Sequence, residues 1–168
     1  VVSLAKEPTS DVVINVTSQD TTEGFVKGGS SPTTAVDSIS LTFTTADWTT
    51  AQTVTVVGQD DPDIDGSQSY SVNVAVDAST ADTDYAALSA QAVSVTNADT
   101  DQAGITINES VYAYESGATD TFTVKLDTKP VADVTLPITV GEPDQVLIQG
   151  GDSPTVFVST LNLTFAPG

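Results

Sequence analysis

Apolar and polar residues alternate with a period of two over most of this chain. The alternation is clearest in VVINV, residues 12–16, and in YSVNVAV, residues 70–76. It recurs at residues 41–43, 54–56, 93–95, 105–107 and 122–126. Such segments place one face on a core and the other in water. Turn-forming residues separate them, namely Pro8, Gly28, Gly29, Pro62, Gly66, Gly117 and Pro130. The pattern predicts an all-β sandwich or barrel and no helix.

The chain contains an internal repeat. When it is shifted by 122 residues, residues 2–46 align with residues 124–168 without a gap, and 15 of the 45 aligned pairs are identical. Roughly three identities are expected for ordinary composition. The motif GGSSPT at residues 28–33 matches GGDSPT at residues 150–155, and LTF at residues 41–43 matches LTF at residues 163–165. The repeat predicts two copies of one β module.

The repeat divides the chain into residues 1–101, a sandwich module without its first strand, and residues 102–168, the N-terminal part of a second module. Residues 47–101 then form a closing half that fits either copy of the first half. We expect the first module to tolerate its missing strand or to borrow one, with residues 103–126 as the donor. Strand exchange within or between chains is the physical route, because unpaired strand edges recruit other strands.

Charge narrows the possible partners. The chain has 23 Asp and Glu residues, 4 Lys and Arg residues and a formal net charge of −19. Nucleic acid and anionic membranes both require basic surfaces, so neither is an expected partner. No apolar run approaches the roughly 18 residues of a membrane helix. The acidic excess is explained by solubility in a salty medium or by the binding of hard cations, and the two explanations are compatible.

The chain has no Cys, Met or His. Disulfides and thiolate chemistry are therefore impossible, and zinc and copper sites are not expected. Oxygen ligands for Ca²⁺ are abundant, and a metal ion is an alternative way to stabilise a disulfide-free domain.

The acidic loop DDPDIDG, residues 60–66, provides four candidate ligands, of which Asp60 and Asp61 are preferred to Asp63 and Asp65. Four carboxylates within six residues repel one another unless a cation neutralises them, and a closing Gly lets a loop wrap an ion. The spacing is similar to the start of an EF-hand loop, but the later Glu and the flanking helices are missing. The alternative is a solvated turn, because Asp favours turns through its own backbone hydrogen bonds.

Further candidates lie elsewhere along the chain. Asp99 and Asp101 fall at the predicted module junction, where an ion would tie two modules and an acidic linker would leave them free. Weaker candidates are Asp20, Glu23 and Glu142. Greek-key loops gather at the two ends of a sandwich, so distant carboxylates can meet there, and we expect this of Asp60, Asp61, Asp99 and Glu115. Asp82 and Asp84 are expected only to cap a loop.

Residues 41–76, LTFTTADWTTAQTVTVVGQDDPDIDGSQSYSVNVAV, resemble the tandem repeats of large bacterial RTX-type surface adhesins with Calx-β-like or Ig-like modules. Residues 94–110 resemble a junction between such modules, and residues 115–138 resemble the first strands of the next one. One departure is residues 25–38, which form a longer loop than the resemblance leads us to expect.

The resemblance implies a seven-stranded Greek-key sandwich, present as one module plus part of the next. It also implies an extracellular, non-catalytic extender on a bacterial cell surface, in which Ca²⁺ bound at module junctions keeps the array rigid. Glu115, at the start of a strand in the second module, is a ligand by this resemblance. Its partners are then Ca²⁺ and neighbouring modules of the same chain.

Two alternatives remain. A glycan- or peptide-binding module predicts an exposed aromatic platform from Trp48, Tyr70, Tyr85 or Phe25, although Trp usually packs against a core. An enzyme requires a pocket with carboxylates of divergent pKa. The low aromatic content of 6% and the absence of His disfavour both.

Overall fold

A computed structural model describes residues 1–108 and 110–167 of the chain. The contacts divide the chain into two units. Unit 1 comprises residues 1–61 and 65–99, and unit 2 comprises residues 62–64 and 100–168. The described part of the chain contains no helix that is long and apolar enough to cross a membrane.

Unit 1 consists of seven strands: β1 (Val12–Ser18), β2 (Gly24–Gly28), β3 (Ser31–Val36), β4 (Ser38–Phe43), β5 (Val54–Gly58), β6 (Gln68–Val76) and β7 (Gln91–Asn97). They form a four-stranded sheet in the order β4-β1-β6-β7 and a three-stranded sheet in the order β3-β2-β5. All of these pairings are antiparallel. The all-β, sandwich-like fold predicted from the alternation is therefore confirmed.

The core of unit 1 lies between the two sheets. Alternate residues of β1 and β4 are almost completely buried, and Val26 of β2 and Val72 of β6 join them. Phe43 is the largest of these, and both Phe43 and Leu41 have 0% of their surface exposed. The period-two pattern thus has the physical cause inferred for it, since the apolar residues of each strand share the face that is turned inward.

Unit 2 consists of β8 (Ile105–Ile107), β9 (Val124–Leu126), β10 (Val134–Thr139), β11 (Ile148–Gly150), β12 (Ser153–Val158) and β13 (Thr160–Phe165). These strands pair two by two and antiparallel, β8 with β9, β10 with β13, and β11 with β12. The strands β10 to β13 lie 122 residues after β1 to β4.

The two copies of the repeat share their strand register. Val12 lies opposite Phe43 in β1 and β4, and Val134 lies opposite Phe165 in β10 and β13. Each copy also turns between its second and third strands through two glycines with positive φ. The angles are 142° and 40° at Gly28 and Gly29, and 141° and 50° at Gly150 and Gly151. The repeat in the sequence is therefore a repeat in the structure.

Residues 25–38 do not form the long loop expected from the sequence. They form most of β2, all of β3 and the corner into β4. The two glycines make the turn tight, and β3 is an edge strand whose central residues are polar and exposed. An edge strand with this composition lacks the alternation that reveals the inner strands.

The expectation of no helix was also wrong, because the structure contains a helix of a single turn. The helix α1 (Thr83–Ala86) lies between β6 and β7, and Asp82 is its N-cap. The Asp82 carboxylate accepts hydrogen bonds from the backbone N–H groups of Asp84 and Tyr85 at 3.0 and 3.1 Å. A four-residue helix is too short to show a period of 3.6 in the sequence.

Asp82 also anchors the N-terminal segment of unit 1. Its second carboxylate oxygen accepts from Thr9 N at 2.7 Å and from Thr9 Oγ1 at 2.8 Å. Nearby, the buried Tyr85 hydroxyl donates to the carbonyl of Lys6 and accepts from Lys6 N at 3.2 Å. The connection between β6 and β7 and the segment before β1 are thus fastened together.

Candidate cation site

Three acidic connections meet at one end of unit 1. Gly24 at the start of β2 lies opposite Gly58 at the end of β5, and Gln68 at the start of β6 lies opposite Asn97 at the end of β7. The β1–β2 turn, the β5–β6 loop and the segment after β7 therefore leave the sandwich at the same end. This acidic end carries six of the candidate ligands: Asp20, Glu23, Asp60, Asp61, Asp65 and Asp99.

Asp20 shapes the β1–β2 turn. Its Oδ1 accepts from Thr22 Oγ1 at 2.6 Å and from Thr22 N at 3.0 Å. These two bonds, the side-chain bond first, lower the pKa of Asp20 below its ordinary value. The main-chain oxygen of Asp20 accepts from Gly24 N at 3.1 Å. Asp20 thus remains ionised in mildly acidic solution while one carboxylate oxygen holds the turn.

Glu23 links the turn to the neighbouring strands. Its Oε2 accepts from Asn97 Nδ2 at 3.3 Å, and its main-chain oxygen accepts from Gln59 N at 3.0 Å. Asn97 Nδ2 also donates to the carbonyl of Gln59 at 2.7 Å. Glu23 therefore lies where β2, β5 and β7 converge, beside the first residues of the acidic loop.

The hydroxyl of Tyr70 lies beneath this end without a hydrogen-bond partner among the described residues. Burial raises the pKa of Tyr70, and the charges of Glu23 and Asp20 raise it further. A side chain at Gly24 would collide with this hydroxyl, so the glycine is what admits the phenol. A buried, unpartnered hydroxyl next to two carboxylates is unusual, because such groups normally find a partner.

The β5–β6 loop is fastened to the end of β7. Asp99 Oδ2 accepts from Gly66 N at 2.9 Å, and Asp99 N lies 3.3 Å from Ser67 Oγ. Gly66 has φ of 76°, a conformation that favours glycine. The structure thus joins Asp99 to the loop that carries Asp60, Asp61 and Asp65. That Asp60, Asp61, Asp99 and Glu115 share one ion site stays a prediction.

Asp63 lies among residues of unit 2. Its Oδ1 is 3.4 Å from Lys129 Nζ, and the carbonyl of Pro62 accepts from Lys129 N at 3.0 Å. The ammonium group of Lys129 supplies positive charge to Asp63, so this carboxylate has an alternative to a metal ion.

The other three candidates lie in unit 2. Asp101 lies near the start of the segment of unit 2 that begins at residue 100. Glu142 lies in the β10–β11 turn, and Glu115 lies in a turn between β8 and β9. The sequence predicted that Glu115 opens a strand. This was wrong, because β9 begins only at Val124. The Glu142 turn copies that of Asp20, since Val146 N donates to the Glu142 carbonyl at 3.1 Å. Gln145 and Val146, however, replace Glu23 and Gly24.

Sequence reasoning missed one carboxylate at the acidic end. Asp37 lies at the corner between β3 and β4, and its carbonyl accepts from Ser18 N at 2.8 Å beside the β1–β2 turn. Its side chain is exposed. The sequence could not place Asp37, because residues 25–38 were expected to be a loop. The β2–β3 hairpin that they form instead brings Asp37 to the acidic end.

The carboxylates of the acidic end are gathered but not yet arranged as a coordination shell. Among residues 1–108 and 110–167, no group of three or more acidic side chains has the geometry to hold a metal ion. The donor chemistry nevertheless fits a hard cation, because carboxylate, hydroxyl and main-chain oxygens are the ligands that Ca²⁺ takes. The unpartnered Tyr70 hydroxyl lies among them. Binding would require side chains on the exposed loop to turn inward.

No known protein family, curated protein or solved structure matches this chain.

Proposed function

We propose that this chain is a non-catalytic spacer of a bacterial cell-surface adhesin, extracellular and stiffened by Ca²⁺ at its acidic loops. The observation that carries the proposal is the convergence of three acidic connections at one end of unit 1, around Asp20, Glu23 and Asp99. Ca²⁺ would neutralise these carboxylates and hold their loops together. Asp60, Asp61 and Asp65 on the β5–β6 loop would complete the ligand set.

The charge distribution supports this choice of ligand. The chain offers only four basic side chains against 23 acidic ones. One of the four, Lys6, pairs with Asp84 at 3.2 Å on the connection between β6 and β7, away from the acidic end. A divalent cation relieves the repulsion that remains and binds the folded state more tightly than the unfolded one.

Thermal unfolding of the full chain in Ca²⁺ and in EDTA tests the proposal. At about 100 times the dissociation constant, Ca²⁺ stabilises a fold by about 2.7 kcal/mol. For a unit of this size we expect the Tm to rise by about 10–20 °C. A double variant, Asp60→Asn and Asp61→Asn, should lose most of this rise.

A second double variant, Asp11→Asn and Asp84→Asn, is the matched control. It removes the same charge from the other end of unit 1 and should keep the Ca²⁺ response. Small-angle X-ray scattering, with and without Ca²⁺, separately tests the stiffening. An equal Tm in Ca²⁺ and EDTA would contradict the cation, whereas a Tm rise with unchanged scattering would contradict only the spacer role.

The alternative is a glycan- or peptide-binding module, and one observation favours it. Tyr112 and Tyr114 of unit 2 are 67% and 60% exposed. Exposed aromatic rings are the usual platform for sugars. The aromatics expected for this role are less accessible, since Tyr85 is buried and Trp48, Tyr70 and Phe25 are half-buried. Glycan-array binding that disappears in a Tyr112→Ala and Tyr114→Ala double variant would support this alternative.

A further inference from the structure

We infer that the open apolar face of unit 2 binds a closing strand segment of the kind that residues 47–99 supply to unit 1. The partner is therefore a polypeptide with the alternating pattern of β5 to β7, as carried by a second copy of this chain. This interaction surface does not depend on the proposed cation.

In unit 1 the same surface is already an interface. Strand β6 covers one edge of β1, with Val76 opposite Ile14 and Val74 opposite Val16. Strand β5 covers one edge of β2, with Val56 opposite Val26. These additions close the core, in which Ile39, Leu41 and Phe43 have at most 1% of their surface exposed.

In unit 2 the equivalent surface is an open groove of about 1120 Å³. Apolar side chains line it, among them Phe122, Ile138, Phe157, Leu161, Leu163 and Phe165. Leu161 is the one buried apolar residue among the described part of unit 2, and Phe157 is 51% exposed. Apolar area that is left in water in this way favours a covering partner.

The strands around the groove keep apolar side chains at most of the positions that contact residues 47–99 in unit 1. The residues that face β5 and β6 in unit 1 have larger or equally apolar counterparts in unit 2: Ile14 and Leu136, Val16 and Ile138, Ser18 and Val140, Phe25 and Leu147, and Val26 and Ile148. The strand pairs that carry them have the same register in both units. A segment that fits the first set of side chains therefore fits the second at these positions.

Val146 and Pro137 are the exceptions. Val146 replaces Gly24, which admits the Tyr70 hydroxyl in unit 1, so a bound segment has to turn its Tyr70 ring aside. Pro137 provides a specific test. The carbonyl of Val13 accepts from Asp77 N and Gln19 N donates to Ser71 O, so odd-numbered residues of β1 bond to β6. Asn15 is one of these, and Pro137 is its counterpart in β10. Val140 N donates to Ser159 O, which directs the even-numbered residues of β10 to β13 and Pro137 to the open edge. A bound segment would lack one ladder hydrogen bond at Pro137.

The experiment adds a labelled polypeptide of residues 47–99, carried on a soluble fusion partner, to the full chain. We expect saturable binding with one segment per chain, equal in Ca²⁺ and EDTA. A segment with Val72→Asp and Val74→Asp should bind at least about 100-fold more weakly, because two charges would enter the groove. The Pro137→Asn chain should bind about two- to tenfold more tightly, since it regains one hydrogen bond.

Engineered cysteines fix the register, because the chain has none of its own. Val16 and Val74 form a non-hydrogen-bonded pair, whose side chains are close enough for a disulfide. The Ile138→Cys chain should therefore cross-link to a Val74→Cys segment and not to an Asn73→Cys segment, whose side chain points to the other face. A Val16→Cys chain is the control for exchange into unit 1 and should cross-link little, because its own β6 occupies that edge.

Three results would overturn the inference. They are the absence of binding, equal binding of the Val72→Asp and Val74→Asp segment, and equal cross-linking at positions 73 and 74. The first would mean that the groove does not accept this fold's own strands, and either of the other two would mean that it binds them only as an unspecific apolar surface. None of them would affect the Ca²⁺ response of the acidic end.

Discussion

Units 1 and 2 contain the same four-strand motif with very different burial. The β1–β4 and β10–β13 strand pairs share their register, and each copy turns between its second and third strands through two glycines with positive φ. Yet ten buried apolar residues form the core of unit 1, whereas Leu161 alone reaches that level in the described part of unit 2. The sequence of the motif thus determines how its four strands pair, whereas the burial of its apolar side chains depends on further strands that cover it.

The largest expected effect separates the units at one pair of equivalent phenylalanines. Phe43 is fully buried, and Phe165 remains partly exposed. Phe43→Ala should destabilise unit 1 by about 3–5 kcal/mol, because it removes buried area and leaves a cavity. Phe165→Ala should cost less than about 1.5 kcal/mol, since much of that ring already contacts water.

Denaturant unfolding followed by the fluorescence of Trp48 measures the first effect, because Trp48 packs against the core of unit 1. Hydrogen exchange of residues 134–165 measures the second. If the two alanine variants lose equal stability, the difference in burial between the units is not real in solution.

A smaller effect on stability is expected at one position where the two copies differ, residue 24 of unit 1 and residue 146 of unit 2. Gly24 faces the Tyr70 hydroxyl, and a Cβ there would also lie 2.8 Å from the carbonyl of Val57. Unit 2 has Val146 at this position, 39% exposed. Gly24→Val should destabilise unit 1 by about 1–3 kcal/mol through overpacking. Val146→Gly should cost less than about 1 kcal/mol.

Thermal unfolding of both variants gives this comparison. A Tyr70→Phe background is the control, because it removes the colliding hydroxyl and should recover part of the stability that Gly24→Val loses. If Gly24→Val were neutral in both backgrounds, Tyr70 would not pack against the β1–β2 turn as described.

The sequence was sufficient to predict the strands whose two faces differ in polarity. Residues 12–16 and 70–76 became β1 and β6, and the 122-residue shift gave the order of β10 to β13. It failed at β3, an exposed edge strand, and at α1, a single turn fixed by Asp82. Both depend on tertiary neighbours that a period in the sequence does not record.

The candidate site was predicted less completely than the fold. Greek-key topology led us to expect Asp60, Asp61, Asp99 and Glu115 at one end of the sandwich, and the contact seen in the structure is the hydrogen bond from Gly66 N to Asp99. Asp37 was missed because its position depends on the β2–β3 hairpin. The buried Tyr70 hydroxyl carried no sequence signal, since its environment depends on a glycine 46 residues away.

The smallest expected effect concerns acid, and it too distinguishes the units. Hydrogen bonds lower the pKa of four carboxyls in unit 1, Asp20, Asp47, Asp77 and Asp82, and of Asp120 in unit 2. For Asp82 the backbone N–H of Thr9 is the main cause. A carboxyl whose pKa is lower in the folded state binds its proton more readily when unfolded. Its stabilising contribution is therefore complete above the ordinary value of 3.8 and is lost as the pH falls through the lower, folded value.

Asp82→Asn isolates this contribution from the general effect of neutralising an acidic chain. At pH 7 we expect the variant to melt about 5 °C below the parent, because the one amide oxygen can cap the helix but the amide nitrogen cannot accept the two hydrogen bonds from Thr9. The gap should narrow as the pH falls below about 4. Asp11→Asn is the control, because Asp11 is an exposed carboxyl that precedes β1 and its replacement should change the Tm at pH 7 only slightly. A gap for Asp82→Asn that is constant from pH 7 to pH 2 would mean that the shape of Asp82, and not its charge, fastens the N-terminal segment to unit 1.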